Sequence, residues 1–276
     1  MTLNCRGLLL DLTSPQIMGI MNATPDSFYA KSRIDDSGQI VEQAHKMIEQ
    51  GASILDIGGF SSRPGAASVS IQEEIDRVLP VIERIRQQFP NTIISVDTFR
   101  ADVARYALKA GAHLINDISA FNLDASIIDV VAEQKVPYVL MHMQGLPKTM
   151  QDAPHYQDVL VEIMDFFIEK ISLLRSKGIN DIVLDVGFGF GKTIEHNYQL
   201  LKNLEVFQQL ELPLLVGVSR KSMIWKLLEI HQNEALNGTT ALHMIALQQG
   251  ASILRVHDVK AAREVIQLWS YLSNQV

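Results

Sequence analysis

The chain has 276 residues, of which 47% are hydrophobic and 20% charged, with a formal net charge of -7. This length suits one α/β barrel, for which about 250 residues are typical, and the acidic balance argues against a nucleic-acid-binding or membrane surface. The only cysteine, Cys5, cannot form an internal disulfide, which favours a reducing, cytoplasmic location. Neither a signal peptide nor a membrane-spanning run is evident, so we expect a soluble intracellular protein.

Eight short apolar segments alternate with helix-period segments along the chain. Their apolar character is continuous rather than alternating, which is typical of strands buried on both faces. The predicted strands are residues 17–22, 54–57, 93–96, 114–117, 138–141, 182–185, 214–217 and 253–256.

Between the strands, the segments 70–89 and 157–177 show the clearest amphipathic helical periodicity. Ser70 and Glu73 predict a capping box at the start of the first. Pro80 predicts a kink within it, because proline cannot donate the usual backbone hydrogen bond.

A weak internal repeat places Gly51, Gly111, Gly178 and Gly250 between a predicted helix and the next strand. Glycine suits the left-handed residue that ends a helix. Repeated helix–glycine–strand units predict parallel crossovers, and eight of them close a barrel. We therefore predict an α/β fold, a (β/α)8 TIM barrel forming one domain over residues 1–276. The alternative is an open doubly wound sheet.

Polar residues stand at the carboxyl end of every predicted strand, where barrels of this kind place their active sites. They are Asn22, Asp56, Asp97, Asn116 with Asp117, His142, Asp185, Ser219 with Arg220 and Lys221, and Arg255 with His257. A single Asp or Asn there can be a helix cap or turn former, a reading that stays open for Asp56 and Asp117. Eight such ends in succession predict a shared pocket.

The residue types in this pocket indicate its chemistry. Cationic side chains follow strands seven and eight, the usual phosphate position of the fold, and include Arg220, Lys221, Arg255 and His257. Asp97, Asn116 and Asp185 can accept hydrogen bonds from ring N–H and amino groups. The residues alone therefore predict a barrel enzyme that acts on a phosphorylated, nitrogen-rich heterocycle.

Three further segments were considered as binding motifs. Residues 22–28 and 61–66 have the makeup of binding loops. Residues 187–192, Gly-Phe-Gly-Phe-Gly-Lys, lack the spacing of a P-loop. Ser219 lacks the second glycine of a nucleophile elbow, which argues against a hydrolase serine. The histidines show no zinc-binding spacing, so any metal is expected to be Mg²⁺ shared with substrate phosphates.

At this point the motifs resemble one family, the dihydropteroate synthases, in order from about residue 15 to 270. The segments that carry the resemblance are Met-Asn-Ala-Thr-Pro-Asp-Ser-Phe at 21–28, Ser-Ser-Arg-Pro-Gly at 61–65, Val-Asp-Thr at 96–98, Ile-Asn-Asp at 115–117, Met-His-Met-Gln-Gly at 141–145, the run 185–192, Ser-Arg-Lys at 219–221 and Arg-Val-His-Asp at 255–258. The resemblance implies a transferase of folate biosynthesis that joins a pterin diphosphate to p-aminobenzoate. It also implies Mg²⁺, a homodimer through helices late in the chain, and a sulfonamide target.

The resemblance further implies roles for individual residues. Asp97, Lys221, Arg255 and His257 would be catalytic, Asn22 would bind Mg²⁺ and diphosphate, and the remaining contacts to pterin or p-aminobenzoate would come from Phe28, Ser62, Arg63, Pro64, Asn116, Met141, Asp185, Phe190 and Ser222. Diphosphate would leave the exocyclic CH₂ before the aryl amine attacks.

The chain departs from the usual family pattern at three positions. Phe60 and Ser62 replace Glu and Thr, and Val186 replaces Pro. Because Ser62 keeps the hydroxyl, these departures bear on sulfonamide sensitivity more than on activity. The competing interpretations are a methyltetrahydrofolate-binding methyltransferase, a catalytically silent pterin-binding paralogue and a purely structural homodimer subunit.

Overall fold

The structure, a computed structural model, describes residues 1–23, 36–60, 69–147 and 149–274. Ten strands lie in these ranges: β1 (Thr2–Cys5), β2 (Leu8–Asp11), β3 (Gln16–Asn22), β4 (Ile54–Gly58), β5 (Ile93–Asp97), β6 (Leu114–Asp117), β7 (Tyr138–Met141), β8 (Ile182–Asp185), β9 (Leu214–Val216) and β10 (Ala251–Val256). All eight predicted strands are confirmed to within two residues at either end.

Strands β3 to β10 form a closed parallel barrel in chain order. β10 pairs back onto β3, with Leu254 opposite Ile17 and Val256 opposite Gly19, and this pairing closes the sheet. The predicted (β/α)8 barrel is therefore confirmed, and the open doubly wound sheet was the wrong alternative.

Helices connect successive strands on the outside of the barrel. In the described residues they are α1 (Asp36–Glu49), α2 (Ile71–Gln88), α3 (Ala101–Ala110), α4 (Ile127–Gln134), α5 (Val159–Ser176), α6 (Ile194–Lys202), α7 (Ser222–Trp225), α8 (Leu236–Gln248) and α9 (Val259–Ser273). In this part of the chain no helix is long and apolar enough to cross a membrane.

The predicted capping box of α2 and the predicted glycine caps of the internal repeat are both present. Ser70 accepts a hydrogen bond from the backbone N–H of Glu73 and the reciprocal bond is present, which confirms the capping box. Helix α2 is one continuous element through Pro80, its buried face packing on the barrel. The four repeat glycines all have left-handed φ values, between 79° and 112°, as their cap positions require.

An antiparallel hairpin of β1 and β2 closes the amino-terminal end of the barrel, a feature that the sequence analysis missed. Leu3, Cys5, Leu10 and Leu12 pack on a ring of apolar side chains that contains one residue from each barrel strand. The ring consists of Met18, Ile54, Ile93, Leu114, Val139, Val183, Leu215 and Ile253. This end is therefore a packed core, and the opposite end remains for a binding site.

Candidate active site

The site follows from strand geometry, because side chains two residues apart on a strand face the same way. Two positions beyond the apolar ring, each strand contributes a second inward residue, and the layer becomes largely polar. These residues are Ile20, Asp56, Ser95, Asn116, Met141, Asp185, Gly217 and Arg255. Five of the eight carry polar side chains, so the barrel interior changes from core to binding site within one step along the strands.

Arg255 is the centre of this polar layer. Its Nε donates to Asp56 Oδ2 at 2.7 Å and its Nη2 donates to Asp97 Oδ2 at 2.6 Å. Asn116 Nδ2 also donates to Asp56 Oδ2, at 3.0 Å. Burial lowers the pKa of Arg255, but the nearby carboxylates outweigh it and the net pKa is raised. The guanidinium is therefore a fixed positive charge at the floor of the cavity.

Asp97 lies beside this cation and faces the cavity. Burial raises its pKa to about 7, although Arg255 acts in the opposite direction. Asp185, on the other side of the barrel, accepts from the backbone N–H of Gly187 at 2.7 Å, and burial raises its pKa also, against the effect of Lys221. Both carboxylates are placed to accept hydrogen bonds from a ligand.

Lys221 is held over the segment 187–191. Its Nζ donates to the carbonyl oxygen of Phe188 and lies 4.7 Å from the ring centroid of Phe190. Burial lowers its pKa to about 8, with Asp185 opposing that shift. The ammonium thus stands between an aromatic wall and a carboxylate.

The loops after β9 and β10 are joined at two points. Ser219 Oγ lies 3.1 Å from His257 Nδ1 and accepts from the backbone N–H of His257 at 3.2 Å. Arg220 donates to both carboxylate oxygens of Asp258, at 2.7 and 2.8 Å. The guanidinium of Arg220, which the sequence placed in the anion-binding cluster, is thus paired with the Asp258 carboxylate.

A cavity of about 410 Å³ opens above these residues. Nine of the predicted pocket residues line it: Asn22, Asp97, Phe190, Ser219, Arg220, Lys221, Ser222, Arg255 and His257. Asn116, Met141 and Asp185 lie in the polar layer below. Phe28, Ser62, Arg63 and Pro64 lie outside the described residues, and their predicted roles stay predictions.

Phe60, one of the departures from the family pattern, also lines this cavity. Its ring meets Phe99 edge to face, with centroids 5.5 Å apart, and the guanidinium carbon of Arg100 lies 5.8 Å from the Phe60 centroid. The position that is usually acidic in the family is here part of an aromatic wall.

Asn22 is the residue that the sequence proposed for Mg²⁺. Its exposed side chain ends β3 at the rim of the cavity that Arg255 and His257 also line. Within the described ranges, no group of three or more His, Cys, Asp or Glu side chains could hold a metal ion by itself. The Asn22 side chain can offer one amide oxygen to an ion.

Asp56 and Asp117, for which the sequence left a turn-forming role open, differ in what their carboxylates contact. Asp117 accepts four hydrogen bonds, including those from the backbone N–H groups of Ser119 and Phe121 and from the Tyr138 hydroxyl, so the turn-former reading describes it. Asp56 instead holds Arg255 and Asn116 in the polar layer. Asp56 lies two residues after Ile54 and therefore faces the barrel interior as Ile54 does. This spacing could have identified Asp56 as an inward-facing residue only if the inward face of β4 had been known.

The fold and the site together define a (β/α)8-barrel enzyme whose pocket is lined by arginine, lysine and histidine side chains beside a buried carboxylate. A family model described as "Pterin binding enzyme" matches residues 18–257, and the chain belongs to this family. Within it, the chain belongs with the dihydropteroate synthases, which are transferases.

Relatives and solved structures support that assignment. The dihydropteroate synthase of Escherichia coli (strain K12) is 48% identical over 270 residues, covering 97% of this chain and 95% of the relative. The Yersinia pestis enzyme, crystallised with a sulfonamide drug complex, matches at a TM-score of 0.92 and 46% identity, covering 99% of each chain. The Xanthomonas albilineans enzyme in complex with 7,8-dihydropteroate matches at a TM-score of 0.89 and 38% identity, covering 100% of each chain.

Proposed function

We propose that the polar layer around Arg255 carries out the dihydropteroate synthase reaction of folate synthesis. The pterin diphosphate and p-aminobenzoate condense to 7,8-dihydropteroate and diphosphate. The observation that carries this proposal is the pairing of Arg255 with both Asp56 and Asp97 at the floor of the cavity. It puts a fixed cation where a diphosphate and a pterin ring would meet.

The pterin ring is recognised in the deeper part of the site. The Asp185 and Asp97 carboxylates accept from its amino and ring N–H groups, the Asn116 amide can accept from or donate to the ring, and Met141 packs beside it. Lys221 donates to the ring from above, while Phe190 and Ser222 shape the space for p-aminobenzoate. Phe28, Ser62, Arg63 and Pro64 complete that space in the proposal.

The reaction proceeds by loss of diphosphate followed by attack of the amine. The C–O bond between the exocyclic CH₂ and diphosphate breaks, and its electron pair leaves with the diphosphate oxygen. Arg255 and His257 stabilise this developing negative charge, and the Asp97 carboxylate stabilises the positive charge left on the pterin. The aryl amine nitrogen then forms the C–N bond and loses its proton to solvent.

Asn22 is proposed to hold Mg²⁺ together with the substrate diphosphate. When bound, Mg²⁺ neutralises diphosphate charge and makes it a better leaving group. The support for this assignment is the position of Asn22 on the same cavity wall as Arg255 and His257.

The test is diphosphate release from 6-hydroxymethyl-7,8-dihydropterin diphosphate, with and without p-aminobenzoate and with and without Mg²⁺. We expect Arg255→Ala to lower kcat/KM by about 100-fold or more, because a charged group that stabilises the leaving group is lost. Arg105→Ala, which removes an exposed ion pair with Glu133, is the control and should stay within about twofold. Near-normal turnover of Arg255→Ala would overturn its role, whereas pterin binding without release by the wild-type chain would favour a silent paralogue.

We also propose a cytoplasmic homodimer. Exposed leucines on neighbouring helices support the dimer: Leu227 and Leu228 after α7, and Leu268 and Leu272 on α9, are each more than half exposed. Large apolar side chains on the surface of a protein are typical of a protein–protein interface when they lie together. The lone, buried Cys5 is consistent with a reducing compartment.

A further inference from the structure

Lys192 is a buried lysine for which the proposed reaction has no use. Only 3% of the residue is exposed, and its Nζ lies 3.0 Å from His142 Nδ1, 3.1 Å from the carbonyl oxygen of Phe190 and 3.4 Å from that of His142. Carbonyl oxygens only accept, so Lys192 is the donor in at least two of these three contacts. A lysine is costly to bury unless its partners compensate, which calls for a reason why this one is inside.

The partners of Lys192 belong to two chain segments that the lysine joins. His142 directly follows β7, and Phe190 belongs to the segment 187–191, which follows β8 and which we term the Gly-Phe loop. Its three glycines all have positive φ values, from 63° to 79°. A Cβ on Gly187 would overlap the carbonyl oxygen of His142, and one on Gly191 would overlap that of Gln144. The loop therefore lies directly on residues 142–144, and Lys192 is anchored beneath it.

The upper side of the Gly-Phe loop forms part of the candidate active site. The carbonyl oxygen of Phe188 accepts from Lys221 Nζ, and the Phe190 ring packs against the same ammonium. Gly187 donates its N–H to Asp185. A shift of this loop would thus move three groups together: the Phe188 carbonyl that binds Lys221, the Phe190 ring, and the Gly187 N–H that binds Asp185.

Electrostatics around Lys192 agree with a supporting role. Burial, together with the neighbouring Lys192 ammonium, lowers the pKa of His142 to about 2, so His142 is neutral at physiological pH. Its ring is fixed edge to face against Phe166, with centroids 4.8 Å apart. Burial lowers the pKa of Lys192 to about 7, with the nearby Asp185 carboxylate opposing that shift and Lys221 adding to it. The Asp185 carboxylate, which would face the pterin, thus partly compensates the positive charges of both Lys192 and Lys221.

We propose that Lys192 is a positioning residue that fixes the Gly-Phe loop against the end of β7 and thereby holds the Phe190 ring in place for p-aminobenzoate. This inference rests on the proposed function. Lys192 touches neither substrate, and its effect reaches them through the loop. It predicts a kinetic defect directed at the second substrate, whereas a lysine with a merely structural role would affect stability alone.

The experiment compares Lys192→Met with the exposed control Lys202→Met, at the end of α6, in the full-length enzyme. Methionine fills similar volume without the three donors. We expect folded Lys192→Met to raise the KM for p-aminobenzoate about tenfold or more, because of the misplaced loop. Its affinity for 6-hydroxymethylpterin should change less, by about threefold at most, since Asp185, Asn116 and Arg255 stay on their strands although Lys221 and Asp185 each have a partner in the loop. Lys202→Met should match wild type in all constants.

A second variant keeps the proposal testable if Lys192→Met does not fold. His142→Leu leaves the ammonium and both carbonyls in place and removes one acceptor, so we expect a rise in the KM for p-aminobenzoate. His142→Asn retains an acceptor near the Nδ1 position and should restore a KM closer to wild type. A KM within twofold of wild type in folded Lys192→Met, or in His142→Leu, would overturn the role. Lack of turnover by the wild-type chain would instead overturn the proposed function itself.

Discussion

Asp56 is the residue on which the floor of the site depends. It is fully buried, and one of its oxygens accepts from both Arg255 and Asn116. Its other oxygen, Oδ1, has no hydrogen-bond partner among the described residues, and a buried carboxylate oxygen of this kind is costly. A carboxylate is tolerated there because the Arg255 guanidinium compensates its charge. Asp56 therefore orients two groups that would contact the pterin, without facing the cavity itself.

We expect Asp56→Asn to lower both stability and pterin affinity. Removing one carboxylate leaves Arg255 paired with Asp97 alone and should cost about 3 kcal/mol in the free energy of unfolding. Loss of orientation should weaken binding of 6-hydroxymethylpterin about tenfold or more. Urea denaturation and fluorescence titration measure the two effects. Asp117→Asn, a buried carboxylate that holds a turn, should destabilise the protein but change pterin affinity less than about threefold; equal losses of affinity in both variants would contradict this account.

At the scale of elements, the loops that follow β9 and β10 act as one unit. Arg220 adopts a left-handed φ of 53° and makes a two-point contact with Asp258. Its backbone N–H is held by Thr239 on α8, at 3.1 Å. Lys221 and His257 stand immediately next to the two partners in sequence. The ion pair thus sets the distance between Lys221 and His257, the two groups proposed to bind the substrate.

Breaking this ion pair should weaken binding of the diphosphate substrate. We expect Arg220→Met and Asp258→Asn each to raise the KM for the pterin diphosphate about tenfold. The double variant should be little worse than either one, because both remove the same contact. Lys260→Met, an exposed lysine close by with a side chain 75% exposed, is the charge control and should leave the KM within twofold. Additive effects in the double variant would show that the two residues act separately.

At the scale of the whole molecule, the barrel was predictable because its signals are local and repeated. Continuous apolar strands and glycine caps occur along the chain, and each is explained by its own few residues. The hairpin was missed although Leu3, Cys5, Leu8 and Leu10 alternate around Arg6-Gly7, a two-residue turn signal. Its strands are only four residues long, and their apolar side chains have a partner only after the barrel has closed.

The polar site was predictable in part for the same reason. Strand ends are visible in the sequence, so Asp97, Asp185 and Arg255 could be placed at one end of the barrel. Which polar residues face inward and which form turns depends on the register of distant strands, and this separates Asp56 from Asp117. The burial of Lys192 depends on contact between segments about 50 residues apart, which no local pattern records.

The exposed leucines on the outer helices bear on the assembly of the protein. Helix α8 packs against both α7 and α9, so the exposed leucines around these helices lie on neighbouring elements. Leu268 and Leu272 are one turn apart on α9 and are 65% and 57% exposed, an arrangement that favours burial against a second copy.

We expect wild-type protein to sediment at twice the mass of one chain and Leu268→Asp with Leu272→Asp to sediment as a monomer, because two buried charges would oppose association. The control Ile168→Asp, on α5, is 53% exposed as wild type and should leave the dimer intact. Sedimentation of the wild-type chain as a monomer at micromolar concentration would contradict the proposed interface. Because the substrate cavity opens at the carboxyl end of the strands, and these leucines lie on outer helices, the monomeric variant should still bind pterin.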